Sequence, residues 1–250
     1  MAEGDQMSFW DHLDVLRGTL LRCVGAILAV SILVFCFKGL VFDSFLLAPA
    51  RGDFFMYRIF GIDLDMQLVN IELSAQFFIH MKMSFLLGFV LVFPYVCFEI
   101  WKFVVPALYE HEKKACRKAF GFAGVLFYVG LAVGYFIILP ITLNFFYSYS
   151  VSDSISNSIT LNSYFSTFIS MVLTFGIVFE FPSVIAILNN LGIVSKDMLR
   201  SGRKYALIVI LIIAAIITPA DPFSMIIAAM PLYLLYEGSI LVCRNKPAET

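Results

Sequence analysis

From Ala119 to Ser152 the chain carries no Asp, Glu, Lys or Arg. As a helix this stretch would run roughly 50 Å, longer than the roughly 30 Å hydrocarbon core of a bilayer, which about 20 residues already cross. Shorter apolar runs recur on both sides of it. Sixty-one percent of the residues are hydrophobic and 14 % charged, and the mean hydropathy is +0.92. Water-soluble domains hold about 45–50 % apolar and about 25 % charged residues. These runs are too long and too regular for an aqueous core, so the chain reads as a polytopic helical membrane protein. A net charge of −1 argues against a nucleic-acid partner, which needs a basic face.

Six spans are predicted within a single polytopic domain, residues 1–250: 20–42, about 73–104, about 119–146 (ending near Pro140), about 161–191, 205–217 and 222–242, with 243–250 as a short tail. Asp5, Asp11 and Asp14 precede the first run where a cleavable signal would be basic, so that run reads as a retained span. Of the 17 Lys and Arg, 13 fall in the N-terminal segment, the second and fourth connections and the tail. The positive-inside rule then places both termini in the cytoplasm. The fifth span is about 20 Å long as a helix and turns back at TPADP, Thr218 to Pro222. Such a hairpin thins the bilayer locally or is shielded by neighbours.

The five cysteines are scattered without a CxxC, and the histidines, His12, His80 and His111, are equally dispersed. His111-Glu112 begins like HExxH but meets Ala115 at the second ligand position. No metal or other cofactor is expected. Five ionisable residues lie within or at the ends of apolar runs: His80, Lys82, Glu99, Glu180 and Glu237. A charge at mid-membrane costs about 2.5–3.5 kcal/mol on insertion scales, so each needs a partner or a wet surface. His80 and Lys82 are placed to snorkel at the outer end of span two. Glu99 is three residues from Lys102, which suggests a local ion pair. Glu237 is near enough to the inner end of span six to reach headgroups. Glu180, in LTFGIVFEFPSVIAIL, is far from any other charge, and Pro182 removes the N–H that the Val178 carbonyl would accept. That polar spot is read either as a buried structural hydrogen bond or as a seat for another membrane helix.

Four segments carry a resemblance over nearly the whole chain: WDHLDVLRGTLLR at the start, FEIWKFVVPALYEHEKK in the second connection, FGIVFEFP in span four and ITPADPFSMIIAAMPLYLLYE across the last hairpin. Together they resemble the TatC family, the receptor subunits of twin-arginine protein translocation. The resemblance implies an all-α integral membrane protein of six transmembrane helices in a concave, cupped arrangement, the last two helices short. It implies a non-enzymatic receptor in the bacterial cytoplasmic (inner) membrane. Such a receptor binds the twin-arginine signal peptides of folded cargo, joins single-span TatA/TatB-type subunits, and uses the proton-motive force. It also allows more than one copy of the chain in the complex.

The same resemblance distributes roles. Glu112 matches the acid of the second connection that meets paired guanidinium groups, and carboxylates suit that task because arginine offers a planar fork of donors. Phe103 matches the aromatic position on the same surface. The family's HLxELR reads HLDVLR here, His12 to Arg17, so Val15 stands where a glutamate is usual. Asp14 adjoins it but points about 100° away on a helix, while Asp11, four residues earlier, shares its face. Either aspartate is a candidate assistant to Glu112, with Arg17 grouped in the same binding set. Glu180 matches the membrane-embedded acid associated with partner helices, and Asp221 matches an acidic position in the outer turn. A rival reading is a small-solute transporter, supported by the intramembrane ionisable residues. The chain shows neither an internal repeat nor paired Gly/Pro-broken spans that would strengthen it.

Overall fold

The computed structural model describes residues 9–64, 66–107, 110–152, 154, 157–218 and 222–243. Helix α1 (Phe9–Cys36) is followed by an irregular outer connection: α2 (Lys38–Val41), a π-turn (Phe42–Leu46), a 3-10 turn (Ala48–Ala50), α3 (Phe55–Phe60) and β1 (Leu68–Val69). Helix α4 (Ala75–Val104) returns and leads through the 3-10 turn Val105–Ala107 into α5 (Glu110–Val133). The π-turn Gly134–Ile138 joins α5 to α6 (Leu139–Ser148). After β2 (Ile159–Thr160) come α7 (Leu161–Val178), α8 (Phe181–Asn190), α9 (Lys196–Ser201), α10 (Arg203–Ile217) and α11 (Pro222–Val242). Among the described residues, four helical stretches are long and apolar enough to cross a membrane: His12–Cys36, Ala75–Val104, Ala119–Ser148 and Leu161–Asn190. The apolar α10 and α11 complete a six-helix membrane fold.

Prolines interrupt the backbone hydrogen bonding of these helices. Pro140 does not stop the third crossing. It falls at the first turn of α6, just after the π-turn, where a missing N–H costs least, and the helix continues to Ser148. Pro94 lies inside α4 and strips the Val90 carbonyl of its helical donor. The Tyr128 hydroxyl of α5 donates to that carbonyl at 2.9 Å. Pro182 lies at the first turn of α8, and the fourth crossing breaks at Phe179–Glu180, where the Glu180 N–H bonds three residues back to Ile177.

Small residues let the long helices approach closely, as in other membrane bundles. A Cβ on Gly130 would lie 2.5 Å from the Phe175 carbonyl oxygen, and one on Gly134 would lie 2.9 Å from Val172 Cα. These glycines, spaced GxxxG, seat α7 on α5. At Gly88, α4 meets α1 at Ser31, whose Cα would be 2.9 Å from an added Cβ. Phe127, Phe168, Met171 and Phe175 fill the buried centre, and Phe93 stacks on Phe127 with ring centroids 3.6 Å apart.

The outer connection is tied down by phenols. Tyr135 donates to the Phe45 carbonyl at 2.8 Å, Tyr164 to the Leu46 carbonyl at 2.7 Å, and Tyr57 to the Pro49 carbonyl. Burial holds the Tyr57 hydroxyl well above the usual phenol range, so it stays a donor. A parallel two-residue pairing, Leu68 with Ile159 and Val69 with Thr160, links the first and third connections. Sequence patterning gave no hint of these strands, which are too short to show an alternation.

Candidate functional site

The first site lies where the start of α1 meets the end of α4. On α1 the inward stripe runs His12, Leu16, Thr19, Cys23, half-buried at the first two and buried at the last two. His12 stacks on Phe103 of α4, ring centroids 4.4 Å apart and planes 29° from parallel. The HLDVLR motif and the Phe103 surface, 91 residues apart in the chain, therefore form one rim. Asp14 and Arg17 are exposed on the side of α1 away from α4, and Val15 is exposed between the two faces. Asp11 is a position on α1 and Glu112 the third position of α5; the described structure does not extend to their side chains. Only a 3-10 turn and two undescribed residues separate α4 from α5, so Glu112 follows Phe103 closely along the backbone. Its place in the first turn of α5 suits an acid, since that end of the helix dipole is positive.

One turn before Phe103, and on the same face of α4, sits Glu99. It is 4 % exposed, too buried for a carboxylate to remain ionised without a cation. Its direct partner is not Lys102, which acts on it only at longer range. It is Arg22 of α1, whose Nε donates to Glu99 Oε2 at 2.8 Å while Nη2 donates to Thr19 Oγ1 at 3.1 Å. The local pairing expected from an i, i+3 spacing gives way because the buried face of α4 is turned toward α1, and a long guanidinium reaches it from there. Sequence reasoning missed this pair. The available signal was two opposite charges at matching depth near the inner ends of antiparallel helices.

The second site is the break in the fourth crossing. Glu180 lies between α7 and α8, and Ser183 is buried one turn later. Glu180 Oε1 and Ser183 Oγ are buried without a hydrogen bond of ordinary geometry among the described residues, although Ser183 and the Phe127 backbone lie close to the carboxyl. The break between α7 and α8 thus leaves polar side-chain atoms inside the bundle.

Other expectations divide. His80 does not snorkel: its ring stacks on Phe35 at 3.9 Å and meets the edge of Phe42 at 5.3 Å, because α4 turns that face toward α1 and the outer connection. Lys82, two residues on, is exposed. Glu237 does not reach for headgroups; it accepts from Arg203 Nη2 at 2.8 Å and from the Tyr233 hydroxyl at 3.1 Å, joining α10 to α11. This carboxylate partner holds the Arg203 guanidinium above its ordinary range. Asp221 lies outside the described residues. No cluster of three metal-ligating side chains occurs among the described residues.

Residues 11–231 match the family model described as Sec-independent protein translocase protein (TatC). The Sec-independent protein translocase protein TatC of Blattabacterium sp. subsp. Periplaneta americana (strain BPLAN) is 34 % identical over 255 residues, covering 96 % of each chain. TatCy of Bacillus subtilis (strain 168) is 32 % identical, covering 96 % of this chain and 90 % of its own. A crystal structure titled as the twin arginine translocase receptor TatC, in the detergent DDM, superposes with a TM-score of 0.78 at 32 % identity. It covers 93 % of this chain and 99 % of its own.

Proposed function

Because the chain belongs to the TatC family of Sec-independent protein translocase subunits, we propose that it is the receptor that captures twin-arginine signal peptides of folded cargo. It does so at the cytoplasmic face of the bacterial inner membrane, with both its termini on that side. The observation that carries this reading is the rim formed by the His12–Phe103 stack. It places the α1 motif beside the α4–α5 connection, where Glu112 is the principal acid. Asp11 is favoured over Asp14 as its assistant: the α1 register puts position 11 on the stripe of Val15 and Arg22, whereas Asp14 is turned outward. Phe103 offers an apolar surface for arginine stems or the signal's hydrophobic residues, and Arg17 holds the rim near anionic headgroups.

Recognition here is by shape and charge and makes no covalent bond. Two guanidinium groups meet carboxylates, and the apolar part of the signal then follows the membrane-facing helices. The second site gives the chain a way to hold partners. Glu180 and Ser183, with unused hydrogen-bonding capacity inside the bilayer, suit a polar residue on a single-span TatA/TatB-type helix. Such subunits would supply the passage and couple it to the proton-motive force, with Asp221 engaged at the outer turn.

The test is co-purification of the detergent-solubilised protein with a twin-arginine precursor and with its double-lysine counterpart. Arginine-dependent recovery, reduced in Glu112→Gln and more weakly in Asp11→Asn, is expected. Equal recovery of both precursors, or of neither, refutes the receptor reading.

A further inference from the structure

The buried ion pair at the rim is more than an α1–α4 clamp. We propose that Glu99 is an additional carboxylate seat for the arginine tag, occupied in the unliganded chain by Arg22, which an incoming guanidinium displaces. This rests on the receptor reading above and adds a residue to its binding surface.

Three features of the pair point to exchange. Arg22 holds Glu99 by a single contact, Nε to Oε2, and spends Nη2 on Thr19. The carboxylate is therefore not engaged by the two-pronged fork that makes arginine–carboxylate pairs strong and selective. Exposure is also lopsided: the side chain of Arg22 is 51 % accessible and that of Glu99 is 5 %. Arg22 has open space beside it into which it can turn, whereas Glu99 stays buried, with Arg22 as its direct cation and the Tyr95 hydroxyl close by. Exchange keeps that carboxylate paired, since one guanidinium replaces another and no buried charge is left uncompensated. Finally, Arg22 lies seven residues beyond Val15 on one helical stripe of α1. The α4 carboxylate thus stands beside the stripe that leads inward from the rim.

An internal occupant also sets a threshold. A lysine pair brings compact ammonium groups that cannot form the planar fork, so it competes poorly with a tethered guanidinium. Arg22 would sharpen discrimination between double arginine and double lysine, at the expense of absolute affinity.

The experiment uses the full chain in lipid nanodiscs and a fluorescent synthetic signal peptide with two adjacent arginines ahead of an apolar segment, beside its double-lysine counterpart. Arg22→Gln should bind the arginine peptide about tenfold more tightly, a change corresponding to one decade in Kd, and should narrow the arginine–lysine gap. Glu99→Gln should bind it several-fold more weakly, and the double variant should resemble Glu99→Gln. The reversed pair, Arg22→Glu with Glu99→Arg, should keep thermal stability and lose affinity. A pair that only clamps the helices predicts instead that both single variants lose stability and affinity together and that the reversed pair binds as the parent does. Either result overturns the proposal. If the unaltered protein fails to distinguish the two peptides, the receptor reading itself falls. If it distinguishes them while Arg22→Gln and Glu99→Gln shift affinity alike or not at all, only the exchange is refuted.

Discussion

Tyr128→Phe removes one oxygen from a hydrogen bond whose partner has no substitute. The Val90 carbonyl of α4 would ordinarily accept from the N–H of residue 94, but that residue is Pro94. Tyr128 supplies the missing donor from α5 at 2.9 Å. Net hydrogen bonds contribute about 0.5–1.5 kcal/mol, and side-chain bonds measured within a membrane average about 0.6 and reach about 1.7 kcal/mol. With the carbonyl lacking a backbone alternative, Tyr128→Phe should cost about 1–1.5 kcal/mol, the upper part of those ranges. Pro94→Ala restores an N–H at position 94, after which the same phenol deletion should cost less than about 0.5 kcal/mol. The four corners of the cycle therefore carry a coupling energy near 1 kcal/mol, above the few tenths by which independent sites depart from additivity. Unfolding with SDS in mixed micelles, followed by circular dichroism, measures all four. Equal costs of Tyr128→Phe in the two backgrounds would show that the proline and the phenol are unrelated.

Two further predictions concern close approach and the outer connection. Gly130→Ala would drive a Cβ into the Phe175 carbonyl and should destabilise by about 1–3 kcal/mol in the same assay. Gly124→Ala, which meets nothing within 4 Å, should be neutral or slightly stabilising because alanine is the better helix former. Tyr164→Phe should cost about 1 kcal/mol and speed amide hydrogen exchange over residues 43–50 without affecting exchange at the far ends of the same helices. Unchanged exchange there would mean that the Tyr164–Leu46 bond does not hold the connection.

Much of this architecture could be read from residues alone, because a bilayer imposes its thickness on hydropathy and leaves little freedom in where apolar runs begin and end. Near Glu180 the lost backbone donor was readable from Pro182, although the span was read as continuous and the break itself was not foreseen. Pro140 looked like the same signal and was not, since a single π-turn re-registers the helix so that the proline falls in a first turn. What escaped were pairings made across long sequence distances. Arg22 and Glu99, or Leu68 and Ile159, meet only because α1, α4 and the outer connections are already folded against one another. His80 misled for a similar reason, as depth along a helix says nothing about which neighbour its ring will find. At the rim, the resemblance named Glu112, Asp11 and Asp14 as candidate acids. The stack of His12 on Phe103 shows that the α1 motif lies against the end of α4.

The pairing of Leu68–Val69 with Ile159–Thr160 joins two connections at one end of the molecule, and the phenolic bonds reinforce it there. No comparable strand tie occurs at the opposite end among the described residues. The inner end is held by side chains instead, the Arg22–Glu99 pair and the His12–Phe103 stack joining α1 to α4. A helix of 28 residues such as α1 is about 42 Å long, so, were those side-chain contacts released, a tilt of about 10° at the fastened end would carry its tip through roughly 7 Å. That sweep is about the girth of an extended polypeptide, and it is greatest where His12 touches Phe103.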